Sequence, residues 1–479
     1  MIFSSRGLTP VVALALIAGC GSAPPYRPPQ SEMPAAWKVE EPFRQSAPSD
    51  AAPKGAWWLR FRDDTLNALA TRALAESPTL AVADARLAQA RATFAGVSGQ
   101  AWPQVSANVR DTRTRITQNR PLTNNAAPNF STTHNDAVVA LTASYEVDFS
   151  GRVKSLIAGA RASAEQAAAD LETARLLLIA DLATAYFNLR QTDIEIGVLA
   201  SSIDLQRRSL GLARTRYELG AGSALDVAQQ QALIDTTLTQ IDILRRQRAL
   251  FEHAIATLSG TPAPLFALAP DARELRPPDF PIGVPSDILE RRPDVAAAER
   301  AMAAANAQIG VASAAYYPSI NLGMSVGQES RKLPTLFDAP SLVWSLGVTA
   351  VQPLFDGGRI RANVDFTRAG YDLTVANYRR TVLTAMQEAE DGIIGLAALE
   401  RAWLQAGVAV ESARRTLDLV NARYEGGVAG PLEVISAQQS LLNAERLAAQ
   451  LVGQRLLTSV FLVKALGGDW ERPQQLSSQ

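Results

Sequence analysis

The sequence is poor in the side chains that do chemistry at neutral pH. It has one cysteine, Cys20, so no disulfide can form within the chain. Two histidines, His134 and His253, are too few for a His-rich metal site, and no metal is expected. It has no phosphate-binding loop, no Gly-x-Ser-x-Gly turn and no paired His–carboxylate cluster, so no enzyme is expected. Gly220-Ala221-Gly222 lacks the third glycine and the preceding strand of a dinucleotide site. The net charge is −1, without the basic excess of a nucleic-acid binder. Beyond the N-terminus no unbroken apolar run reaches about 18 residues, so no transmembrane helix is expected and a membrane crossing would need strands closed into a barrel.

What the chain does have begins with a targeting segment. Arg6 precedes a short apolar run, Val11 to Ile17, which is too short to span a bilayer. Ile17-Ala18-Gly19-Cys20 then looks like a bacterial lipoprotein signal, cut before Cys20 and acylated there. The alternative is an ordinary secretory signal with an incidental cysteine. Acyl chains contribute about 0.8 kcal/mol per buried methylene, so several anchor firmly. The lipid on Cys20 is the one covalent group expected, with no other cofactor. Gly21 stands where an aspartate would signal retention in the inner membrane, which favours the outer one.

The organising stretch runs from Gly151 to Tyr217. Leu182, Leu189, Ile196, Ile203, Leu210 and Tyr217 recur every seven residues, the period of left-handed helix winding. A shift of 207 residues gives Ala389, Leu396, Trp403, Val410, Leu417 and Tyr424 in the same phase. Each long helix turns at a glycine-rich tip and returns as a second helix, from about Ala224 to Leu258 in the first half. Upstream of each, residues alternate as in strands. Val105, Ala107 and Val109 oppose Ser106, Asn108 and Arg110, and Val139 to Val147 alternate likewise. Ile320 to Val326 and Trp344 to Ala350 repeat the pattern. Strands of about 9–11 residues fit a tilted bilayer crossing. The same alternation also fits a soluble hairpin with one buried face. A polar loop is expected over Thr117–Asn135, with His134 in it, while His253 reads as a helix-surface residue and Trp403 as core.

The expected divisions are a signal peptide (1–19), a lipidated Pro/Ala/Ser tether (20–55), a first repeat (56–260), a Pro-rich linker (261–285), a second repeat (286–468) and a tail (469–479). The fold class is mainly α with a membrane β-barrel portion and an internal two-fold repeat. Four strands leave two open edges, which lipid does not tolerate, so the chain must oligomerise if they span. Two copies make a barrel too narrow for a channel, while three make about twelve strands.

Several segments carry a resemblance. They are Trp57-Trp58 with Phe61 and Asp63-Asp64, Asp148-Phe149-Ser150-Gly151-Arg152, and Ala185 to Arg190. To these add Pro285-Ser286-Asp287-Ile288-Leu289-Glu290-Arg291-Arg292-Pro293-Asp294, Gln352 to Arg359, and both tips. The chain resembles the outer membrane factors of bacterial tripartite efflux systems, the TolC-like family, in its lipoprotein branch. The resemblance implies a homotrimer with a twelve-stranded barrel in the outer membrane and a helical tunnel across the periplasm. It further implies a periplasmic adaptor and an inner-membrane pump, proton-driven and of the RND type. The function expected is a passive duct for drugs or small solutes. The alternatives are the duct of a type I protein secretion system and a lipid-anchored periplasmic coiled-coil scaffold.

The tips are the candidate sites. Gly220 and Gly222 turn the first, where Ser223 caps the return helix with Asp226 three residues on. Gly426-Gly427 turn the second, with Gly430, Pro431 and Glu433 in the equivalent places. One reading is purely local, carboxylates offsetting a helix dipole by about 0.3–1 kcal/mol. The other puts Asp226 and Glu433 in a ring at the periplasmic mouth, selecting cations. By resemblance, Tyr217 and Tyr424 hold the tips inward by hydrogen bonding, and Gly220, Gly222, Ser223, Leu225, Gly427, Gly430 and Leu432 meet the adaptor. Three positions depart from the family: Glu433 and Ser436 replace aspartates, and Ala429 stands where an arginine links the tips.

Overall fold

A computed structural model describes residues 26, 55–119, 131–273, 275–278 and 292–468. Cys20, the run Pro285–Arg291 and the tail 469–479 lie outside them. The described helices are α1 (Asp64–Glu76), α2 (Pro78–Ser98), α3 (Arg152–Glu218), α4 (Ala224–Leu258), α5 (Pro293–Ala314), α6 (Arg359–Glu425) and α7 (Pro431–Ala465). The strands are β1 (Gln104–Ile116), β2 (Thr132–Val147), β3 (Ser319–Ser330) and β4 (Leu342–Val351). The chain divides into two compact units, one holding Ala88–Gln166 and Glu299–Asn377, the other the remaining helical residues.

In the first unit the strands form an antiparallel meander in the order β1-β2-β3-β4. Its register puts Val105, Val109, Leu141, Leu322, Met324, Trp344, Leu346 and Val348 on one face. All of them are exposed, Trp344 by 71% and Val109 by 77%. The other face carries Ser106, Asn108, Thr142, Ser325 and Ser345, with Gly323 and Gly347 between. Ser106 and Thr142 share a hydrogen bond of 2.8 Å across it. An apolar face left largely open is what lipid covers. The strands run 10 to 16 residues, longer than the apolar alternation suggests. His134 is not in a loop but in β2, paired with Thr114, because β1 and β2 stay hydrogen-bonded beyond the apolar band.

Carboxylates start both long helices. Asp148 accepts from Val153 N at 2.9 Å and Lys154 N at 2.7 Å, while Asp356 accepts from Gly358 N at 2.9 Å and Ile360 N at 2.7 Å. Arg152 grips Glu146 with two bonds of 2.6 and 2.7 Å, tying helix to strand. Tyr26 belongs to the expected tether, yet its phenol donates to Glu299 O at 3.2 Å.

Both long helices have 67 residues and both return helices 35. At about 1.5 Å per residue the long ones reach roughly 100 Å. Each of the four ends in the same way. Gly220, Gly427, Gly260 and Gly467 follow them, the first three with φ of +75°, +76° and +74°. Ala221 N bonds to Arg216 O and Gly220 N to Tyr217 O, a Schellman end that Val428 and Gly427 repeat on Arg423 and Tyr424.

The main core of the second unit lies where α1 meets α3 and α7. Trp57, Trp58, Phe61, Leu66, Tyr186, Phe187 and Leu189 pack there with Leu456 and Val460. Burial raises the Tyr186 phenol well above its ordinary pKa, so it stays protonated and donates to Asp63 at 2.7 Å. Asp63 uses its other oxygen to cap α1 through Leu66 N at 2.9 Å. At Gly453 helix α7 passes so close to Gln191 of α3 that a Cβ there would displace the glutamine side chain.

One sequence expectation is corrected here. Helix α6 does contain a window long and apolar enough to cross a membrane. It was missed because Glu400 and Arg401 interrupt the run without outweighing it. Glu400 is ion-paired with Arg455 of α7, and Trp403 packs partly against the core, which ties this part of α6 to protein.

Candidate functional site

The two helical hairpins meet along α3 and α7, in alternating apolar and polar layers. Leu199, Ile203, Ile241 and Leu442 form one apolar layer, and Leu417, Ala437 and Leu441 another. Between and around them sit buried polar groups. Gln438 donates to Ser209 Oγ at 2.7 Å and accepts from Gln230 at 3.5 Å, both glutamines being buried. Glu195 accepts from Arg446 at 3.4 Å and Gln450 at 3.2 Å. A buried polar side chain satisfied in only one register fixes that register.

At the end of this seam the first hairpin holds the second. Arg216 donates to Tyr424 O at 2.7 Å and Glu425 O at 3.2 Å. Those carbonyls belong to the last turn of α6, where the helix end carries partial negative charge and Tyr424 O also accepts from Gly427 N at 3.0 Å. The guanidinium also lies over the Tyr424 ring, 4.2 Å from its centroid. Tyr424, Ala429 and Val434 are buried together, with Leu212 of the first hairpin against them.

The candidate residues are placed unequally. Tyr424 is 6% exposed but Tyr217, its counterpart, 52%. Among the described residues neither phenol makes a hydrogen bond, so within one chain Tyr424 acts through its ring and carbonyl. Asp226 Oδ2 accepts from Ser223 N at 3.0 Å, and Ser223 Oγ from Leu225 N at 3.1 Å, completing a capping box. Glu433 accepts from Gly430 N at 3.1 Å, half of the same box because glycine has no side chain. Its other oxygen lies 3.8 Å from Arg423. One chain therefore uses both carboxylates as caps and does not bring them together. Gly220 and Gly427 take the left-handed turns, and Gly222 sits so close to Tyr217 N that a Cβ would lie 3.1 Å from it. Leu219, Leu225, Val428 and Leu432 project into solvent around the tips. Cys20 lies outside the described residues.

The residues missed from sequence are Arg216 and the polar layers. Arg216 has Arg423 as its counterpart 207 residues further on. Its position one residue before a heptad tyrosine was the available signal. The linker is also more than a spacer, because Arg248 donates to Leu268 O at 2.7 Å and Arg190 to Ala269 O at 3.1 Å.

A model of the family described as "Outer membrane efflux protein" matches residues 69–261 and 284–468. The chain is 31% identical over 477 residues to the pyoverdine export outer membrane protein OpmQ of Pseudomonas aeruginosa, covering 98% of each. It is 31% identical over 473 residues to the toluene efflux pump outer membrane protein TtgC of Pseudomonas putida, covering 97% of this chain and 95% of the relative. Among solved structures, the outer-membrane channel OprN superposes with a TM-score of 0.86 at 28% identity, over 93% of this chain and 98% of OprN. The open state of the Neisseria gonorrhoeae MtrE channel gives 0.79 at 26% identity, over 95% and 99%.

Proposed function

Since the chain belongs to the outer membrane efflux protein family and is an outer-membrane efflux channel, we propose that three copies close into one passive duct whose periplasmic mouth is set by the tips. The observation that carries this is the sheet. Its four strands leave β1 and β4 unpaired at the edges, and one face carries an apolar belt that is largely open. Such a sheet is stable in lipid only if identical sheets complete it. Three give twelve strands, wide enough for water inside.

The partners proposed are a periplasmic adaptor and an inner-membrane pump of the RND type, with Cys20 acylated in the outer membrane. The adaptor meets the exposed Leu219, Leu225, Val428 and Leu432 and favours an arrangement in which the tips part. It can shift that balance only by binding the parted state more tightly. Relatives named for toluene efflux and pyoverdine export support small molecules as cargo. The test is purification in detergent followed by planar-bilayer recording. A trimer with stepwise conductance is expected, and a monomer without conductance would end this reading.

A further inference from the structure

The arginines of β1 divide between the two faces of the sheet. Arg110 is on the polar face and is neutralised by Asp136 at 2.8 Å. Arg113 and Arg115 continue the face of Val105 and Val109, in register with Asn135 and Thr133 of β2. Arg113 has no partner among the described residues, and Arg115 donates only to the neutral Ser131 Oγ at 3.2 Å. Helices α2 and α3 enter the sheet at its opposite end, beside Gln104 and Val147. The arginines therefore stand at the end remote from the helices, just past the apolar band.

The turn after β3 reaches the same rim. Ser330 pairs with Ala137, which pairs with Asp111, so Arg331 and Lys332 follow one step beyond that level. Both are exposed and neither side chain has a partner among the described residues. Lower in the sheet, Leu342 and Trp344 pair with Gln328 and Val326 and are exposed by 57% and 71%, and Phe337 in the turn is exposed by 75%. Of the carboxylates near this rim, Asp136 is spent on Arg110 and Glu329 stands on the polar face in register with Val138, which leaves Asp111 and Asp338 against the four cations. An open apolar belt topped by unpaired guanidinium and ammonium groups complements a lipid with anionic, phosphate-bearing heads.

We propose that Arg113, Arg115, Arg331 and Lys332 bind, from outside the barrel, the phosphates of the glycolipid headgroups in the outer leaflet. This rests on the sheet being barrel wall. The full-length protein is reconstituted in phosphatidylethanolamine vesicles with or without diphosphorylated lipid A, and the lipid A kept after detergent extraction is measured by mass spectrometry. Wild type is expected to retain it. Glutamine at all four positions should lower retention by about fivefold per charge removed, whereas Arg110→Gln should not. Dephosphorylated lipid A should be kept no better than phosphatidylethanolamine, and millimolar inorganic phosphate should not displace the intact lipid. Equal retention by the four-site variant, equal retention of the dephosphorylated lipid, or displacement by free phosphate would each overturn the proposal. The dephosphorylated arm uses wild type alone, so a variant that fails to fold leaves the test intact. Wild-type conductance in the same vesicles separates the two readings. Conductance without lipid A preference removes only the rim, and absence of conductance removes the barrel.

Discussion

Arg248 reaches Asp193 at 2.6 Å, and 207 residues further on Arg455 reaches Glu400 in the same place of the second repeat. The first pair is the more buried, with Asp193 2% and Arg248 13% exposed. It also holds the linker, since Asp193 accepts from Asp271 N at 3.1 Å and Glu252 from Leu268 N at 2.5 Å. Removing Arg248 leaves the buried Asp193 with only the longer Arg190 pair at 3.3 Å, and Glu252 without its ion pair. Arg248→Ala should cost about 3–5 kcal/mol and release residues 266–271. Urea unfolding measures the first effect, and faster hydrogen exchange of the Leu268 and Asp271 amides the second. Glu400→Gln should cost less, because Glu400 is 30% exposed.

Arg216 is the sole side chain of the first tip, among the described residues, seen donating to carbonyls of the second. Its bonds require the tips to be together, so they stabilise only that state. Arg216→Ala should remove about 2 kcal/mol of that preference, shifting the populations roughly thirtyfold toward parted tips. Single-channel recordings should show higher conductance, and Arg216→Lys should fall between. Unchanged conductance in both variants would take this contact out of the gate.

The two readings of Asp226 and Glu433 separate by charge. Asp226→Asn and Glu433→Gln keep an oxygen for the amides of Ser223 and Gly430 but remove the negative charge. If the carboxylates line the mouth, the double variant loses cation selectivity with its helices intact by circular dichroism. The double alanine variant should also raise conductance. Selectivity retained in both would leave only the capping role.

The amides of Ile360 and Gly358 hold the Asp356 carboxyl below its ordinary pKa. A depressed folded-state pKa adds stability above the unfolded value of about 3.9. That contribution fades as pH falls through the lower folded value. Protection of the amides at the start of α6, their exchange relative to an unstructured chain at the same pH, should therefore be high at neutral pH and fall in this acid range. Asp356→Ala should show the lower protection at every pH.

Much of the fold was legible because it rests on local, periodic signals. The heptads, the turn glycines and the strand alternation all appear within the elements they specify. Tyr217 shows where that ends. The repeat makes it equal to Tyr424, yet one ring is open to solvent and the other lies beneath Arg216. The difference arises from packing between hairpins far apart in sequence, and no local pattern reports it. His134 was misplaced for a related reason. Strand pairing continues through polar residues once a register is set, while alternation stops at the edge of the apolar band.

Four helix ends that keep the same spacing in both repeats place a constraint on growth. Adding one residue to α3 alone would turn everything beyond it by about 100° and advance it about 1.5 Å. Arg216 would then leave Tyr424, and Gln438 would leave Ser209. A longer duct can therefore arise only by matched insertions in all four arms, in steps near seven residues that restore the seam. Natural variants should differ in length by such quanta, or not at all.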